Sequence, residues 1–185
     1  DLNKKIALKP NLVTAKAPSS GATTHSELLA GVIEYLREHG FQNITIMEGS
    51  WVGDHTEDAF QAAGYHQVCS RYGVPFGDLQ RDTWKEYDAA GMKIKLCDKA
   101  AAVDYMINMP VLKGHCQTTV TCALKNNKGV IPNSEKRRFH TLGLHKPIAH
   151  LNTIARNDFI LVDNICGDLD FEEGGNPVVM NRVLG

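Results

Sequence analysis

The run Tyr105-Met-Ile-Asn-Met-Pro110 decides how this chain folds. The stretch before the proline is too short for a helix and apolar on both faces, as expected of a strand covered from two sides. Pro110 then removes a ladder donor and closes it. Upstream, Lys5–Lys9 is a short strand stopped by Pro10, and Ile44–Glu48 is a β-branched run closed by Gly49. Downstream, Phe159–Asp163 is the last clear strand. Helical patterns lie between them. Leu28, Leu29, Val32, Ile33 and Leu36 recur at helical spacing after the capping-box sequence Thr24-His-Ser-Glu27, and Gly40 supplies the stop. Shorter helices are expected over Glu57–Ala63, through Val68 and Tyr72, over Thr118–Asn126, and around Pro147, Ile148, Leu151 and Ile154. This alternation is the mark of βαβ units. The expected fold is therefore α/β: a single domain over residues 1–185 with a mostly parallel sheet and helices on both faces. Met92, Ile94 and Leu96 alternate with lysines, which predicts an antiparallel edge strand; Gly73–Gly91 offers only a short strand near Phe76 and then a loop.

Composition narrows the function classes. Among 185 residues, Lys+Arg 20 against Asp+Glu 21 leave a net charge of -1, which lacks the electrostatic footprint of a nucleic-acid binder. No apolar run reaches the roughly 18 residues of a membrane span. The five cysteines (69, 97, 116, 122, 166) are odd in number and scattered, which fits reduced thiols and a cytoplasmic location. The chain opens at Asp1 rather than Met, so a removed export signal stays open and a longer native chain is expected.

Open α/β sheets bind ligands beyond the carboxyl ends of their strands. Those ends are unusually polar here: Lys9-Pro-Asn11, Glu48-Gly-Ser50, Asn108-Met-Pro110 running on to Lys113-Gly-His115, and Asp163-Asn164. Lys113–Lys146 concentrates Lys113, His115, Lys125, Lys128, Lys136, Arg137, Arg138, His140 and His145 in a neutral chain, which points to an anionic ligand. Lys9, Asn11, His25, Asn108, Lys113, Lys125, Asn126 and Lys128 are the expected ligand-binding residues, with His115 or His140 as the expected acid/base. Glu48 and Asp163 are candidate ligands for a divalent metal, with His115 or His140 completing a mixed set. The acidic loop Asp168, Asp170, Glu172, Glu173 within Gly167–Pro177 is expected to be solvated. Lys9, Asn11, Glu48, Asn108, Lys113, His115, Lys125 and Asp163 are expected to line one crevice, with helix N-termini near Thr24 and Thr118 adding positive charge.

Lys9-Pro-Asn-Leu-Val13, Gly21-Ala-Thr-Thr-His25, Met109-Pro-Val-Leu-Lys-Gly-His115, Ala123-Leu-Lys-Asn-Asn-Lys-Gly129 and Lys136…Phe139-His140 resemble, in order, the family known as domain of unknown function 362. The sequence departs from the commoner pattern at Gly114 and at Asn127, where an apolar residue is usual. The resemblance implies an association with iron–sulfur proteins, because some members carry a ferredoxin-type domain. No tight Cys-x₂-Cys-x₂-Cys run exists in this segment, so no cluster motif lies within it. Two function classes follow. One is an enzyme acting on a small carboxylated or phosphorylated substrate. The other is a non-catalytic module that docks to, or holds a cofactor for, a separate ferredoxin-type redox domain or protein.

Overall fold

The computed structural model describes residues 1–185. Its centre is a five-stranded parallel sheet built from β1 (Ile6–Pro10), β2 (Ile44–Glu48), β3 (Phe76–Asp78), β6 (Tyr105–Met109) and β9 (Phe159–Ile160), in the order β3-β2-β1-β6-β9. The run that decides the fold, β6, lies between β1 and β9, with Ile6 opposite Tyr105 and Pro10 opposite Met109.

The two-residue period of each strand feeds two cores. Ile6, Leu8, Ile44, Ile46, Ile107 and Met109 pack under α1 (Ser26–Glu38), α2 (Thr56–Ala62) and α3 (Tyr65–Tyr72). Ala7, Met47 and Met106 face the other way. They meet α4 (Asp98–Ala101), α6 (Asn133–Leu142), α7 (His145–Leu151) and a hairpin of β4 (Trp84–Ala89) and β5 (Met92–Cys97). Helices therefore cover both faces, as expected.

Four local expectations are corrected. Met92–Leu96 is not an edge strand of the main sheet; it pairs with Trp84–Ala89, a segment whose sequence predicts a loop. Ala90 and Gly91, both at positive φ (51° and 89°), form the two-residue turn that closes this hairpin. Thr118–Asn126 is not one helix. Its β-branched start, Thr119–Thr121 (β8), pairs with Lys113–His115 (β7), and only Ala123–Asn126 (α5) makes a single turn of helix. No helix N-terminus therefore begins near Thr118. Phe159–Asp163 divides at Leu161: Val162–Asp168 (β10) leaves the sheet and pairs antiparallel with Pro177–Leu184 (β11). Finally, Thr24 does not cap α1. Its hydroxyl donates to the Met109 carbonyl (2.8 Å) and accepts from the Asn11 N–H (2.9 Å), so it ties β1 to β6 instead.

Candidate functional site

The chain runs outward from β1 through β2 to β3, then crosses back to place β6 on the other side of β1. The reversal between β1 and β6 is the topological switch point, where loops diverge and open a crevice at the strand carboxyl ends. Lys9 and Asn108 are cross-strand neighbours there. Asn126 sits over the gap: its amide donates to the Lys9 and Pro10 carbonyls (both 3.3 Å) and to Asn108 Oδ1 (2.7 Å). Asn108 in turn donates to the Ala123 carbonyl and to Asn157. Asn127, one of the two departures noted in the sequence, accepts from Asn108 and donates to Asn152. A polar residue suits that position because this network is polar.

Beneath the crevice lies an ion pair. Lys9 Nζ is 2.7 Å from Glu48 Oε2, with Lys9 fully buried and Glu48 2% exposed. Burial lowers the Lys9 pKa, and Glu48 opposes that shift. Glu48 Oε1 accepts from the Gly49 N–H at 2.7 Å. Gly129 lies directly against the pair, since a Cβ there would stand 1.6 Å from Glu48 Oε1 and 2.7 Å from Lys9 Nζ. Lys136 reaches the same region from α6 and donates to the Gly49 and Ser50 carbonyls, both at 2.8 Å.

Above this floor opens a cavity of about 80 Å³, lined among others by Asn11, His115, Lys125, Lys128, His140 and Glu172. Lys125 and Lys128 come from α5 and the 3₁₀ turn Asn127–Val130 that follows it; three positions apart, they share one face. Neither is in an ion pair with a carboxylate, and Lys125 donates no side-chain hydrogen bond. Lys128 Nζ is 2.9 Å from His140 Nε2, and His140 Nδ1 is 3.1 Å from Gln117 Oε1. Burial, then the neighbouring Lys125 and Lys136, push the Lys128 pKa down to about 7. Burial pushes Lys125 and Lys136 down to about 8. Three polar atoms on lining residues, Asn11 Oδ1, Asn126 Oδ1 and Thr121 Oγ1, have no hydrogen-bond partner.

The far wall holds His115, whose Nε2 is 3.2 Å from Glu172 Oε1. Cys116 also meets Glu172, through its N–H (3.2 Å) and its thiol (3.3 Å). One ligand atom from each of these three residues lies within 4.8 Å of the others. The hydrogen bonds disfavour a cation there. His115 Nδ1 accepts from the N–H groups of Gln117 (2.9 Å) and Thr118 (3.1 Å), so Nε2 carries the proton and donates to Glu172. Burial and the charge of Lys125 push His115 down to about 4, and the cationic rim repels a metal ion.

Glu172 belongs to the acidic loop, which is not simply solvated. Fully buried Asp168 accepts the N–H groups of Asp170, Phe171, Gly175 and Asn176 and shapes the loop around its carboxylate. Gly114, the other departure, is where this loop lands: a Cβ there would stand 2.2 Å from the Leu169 carbonyl oxygen. Glu172 is the lining residue that the sequence reading places only in a solvated loop, and Lys136, expected only as one of the clustered cations, proves to reach the floor of the site.

The remaining expected residues have other surroundings. Lys113 is buried and donates to the Ala22 and Glu172 carbonyls, so it ties the loop down instead of lining the cavity. Asp163 does not join Glu48: it is fully buried and accepts from the His25 N–H (2.7 Å), the His25 ring (2.9 Å) and the Ile165 N–H (3.0 Å). His25, whose pKa this bond raises, thus faces Asp163 at the start of α1. Lys9 and Asn108 lie under the cavity and Asn11 and Glu48 on its lining.

A family model described as a domain of unknown function (DUF362) matches residues 6–185, and the chain belongs to that family. It is also similar to thylakoid-associated protein sll1697 of Synechocystis sp. (strain ATCC 27184 / PCC 6803 / Kazusa), with 26% identity over 136 residues, 74% of this chain and 42% of that protein. The chain thus spans less than half the length of that relative. No helix is long and apolar enough to cross a membrane.

Proposed function

We propose that this DUF362 domain binds a small anion, a carboxylate or phosphate group, between Lys125 and Lys128, and that the Lys128–His140 pair serves proton transfer on the bound molecule. One observation carries the reading: two half-buried ammonium groups face a cavity without a carboxylate partner. Lys125 donates no side-chain hydrogen bond and Lys128 meets only the His140 ring nitrogen, whereas Lys9 faces Glu48 and Lys113 and Lys136 donate to carbonyl oxygens. Unmatched buried charge is costly, and an anion offsets that cost. A site of about 80 Å³ suits a molecule of a few heavy atoms.

The test is thermal unfolding with inorganic phosphate and malonate. An anion at about 100 times its Kd stabilises the native state by about 2.7 kcal/mol. The expected result is a clear upward shift in the wild-type chain that is lost in Lys125→Gln. Equal shifts in both proteins, or none in either, would remove the proposed site.

A further inference from the structure

We infer that Lys128 is a nucleophilic amine that condenses with the carbonyl carbon of a small 2-oxo acid, whose carboxylate is held by Lys125. The inference rests on the anion-binding reading and adds a reacting group to the substrate. It follows from comparing the lysines around the cavity. Lys9, Lys113 and Lys136 each direct Nζ at two or more oxygen acceptors of the protein, which occupies their N–H groups within the fold and leaves none aimed at the cavity. Lys128 Nζ has a different partner, the ring nitrogen His140 Nε2 at 2.9 Å. With Gln117 Oε1 as its acceptor, His140 Nδ1 carries the ring proton, and the Nε2 lone pair faces the lysine. An amine beside a base and close to other cations is the arrangement that activates a lysine nucleophile.

The pKa of about 7, set by burial and by Lys125 and Lys136, leaves a substantial share of Lys128 as free amine near neutrality. Burial, Lys128 and Lys125 lower His140, which keeps it a proton acceptor. In the step itself, the Nζ lone pair forms a C–N bond as the carbonyl π pair moves onto oxygen. His140 takes the proton released by nitrogen and returns it to that oxygen, giving a carbinolamine. His140 then carries the remaining N–H proton to that hydroxyl, the C–O bond breaks to release water, and the nitrogen lone pair forms the C=N bond. One water leaves per imine and no oxidant or reductant is required. Lys125, on the same face of the turn, is placed to hold the carboxylate while Lys128 meets the adjacent carbonyl.

The experiment incubates the whole chain with pyruvate and sodium cyanoborohydride, which reduces an imine to a stable secondary amine, and locates the adduct by peptide mass spectrometry. The expected result is one adduct per chain on Lys128, forming at least about tenfold faster than on any other lysine and suppressed by inorganic phosphate. Acetaldehyde, which lacks the carboxylate, should show no such preference, and Lys128→Arg should abolish the fast adduct. Labelling spread evenly over the lysines, or unchanged in Lys128→Arg, would overturn the inference. The two readings fail separately. If phosphate stabilises the protein but no preferred adduct forms, the carbonyl chemistry is wrong and the anion site stands; if phosphate neither stabilises nor protects, both are wrong.

Discussion

Replacing Lys9 by Met tests whether the buried ion pair underpins the site. The substitution keeps most of the aliphatic stem and removes the ammonium, which leaves the Glu48 carboxylate 2% exposed with only the Gly49 N–H as a donor. Breaking one side of such a pair costs about 3–5 kcal/mol, because the surviving charge stays out of water. Unfolding entropy near 2.1 cal/mol/K per residue makes each kcal/mol worth about 2.6 °C in a chain of 185 residues, so Tm should fall by about 8–13 °C. Glu48→Gln should cost less, about 1–3 kcal/mol, since a buried lysine with an already lowered pKa can shed its proton. In the double variant no charge remains, and the loss should fall short of the sum of the singles by at least about 2 kcal/mol. Urea unfolding of the four proteins at pH 7 supplies the cycle. A loss below about 1 kcal/mol in Lys9→Met, or strict additivity in the double variant, would refute the assignment of the pair as a coupled buried unit.

Three further outcomes are expected. Asp163→Ala removes the acceptor of the His25 and Ile165 N–H groups and should cost about 1–3 kcal/mol in urea unfolding. His25 has its folded pKa raised by Asp163, so its share of that loss should be full below pH 6.5 and fade as pH rises through the folded value. Asp168→Ala frees four backbone N–H groups, and limited proteolysis should cut within 169–176 many-fold faster than in the wild type. Lys128, at about 7 when folded against 10.5 unfolded, binds fewer protons in the native state between those values, which makes its effect on stability more favourable as pH rises. The stability difference between wild type and Lys128→Gln should therefore move in favour of the wild type from pH 7 to 8.5, below the range where burial of the Cys69 and Cys97 thiols begins to act the other way.

The parallel strands were legible because β-branched or apolar runs ended by proline or glycine have few other readings, as at Ile6–Pro10 and Tyr105–Met109. The β4–β5 hairpin was not, since Ala90-Gly91 lacks the Asn or Asp that usually announces a two-residue turn, and the exposed Trp84–Ala89 strand has no apolar period. At the site, residue type gave the lysines and histidines, but only geometry separates those whose charge the fold consumes from those left facing a cavity. Lys9 and Lys125 look alike in sequence; Glu48 at 2.7 Å from one and no carboxylate on the other make them different. The contact of Glu172 with His115 spans a long stretch of chain and depends on Asp168 and Gly114 shaping the loop. No local pattern encodes it.

Calorimetric titration with inorganic phosphate at pH 7.5 addresses the anion site most directly. A phosphate held by Lys125 and Lys128 favours their charged forms, whose pKa values lie at about 8 and about 7, so binding should take up protons. The account predicts saturable binding of one phosphate per chain, an apparent enthalpy that changes with the buffer's ionisation heat in the direction of proton uptake, and affinity at least about tenfold weaker in Lys125→Gln. Absence of saturation up to about 10 mM phosphate, or equal affinity and no proton uptake in the wild type and the variant, would contradict it.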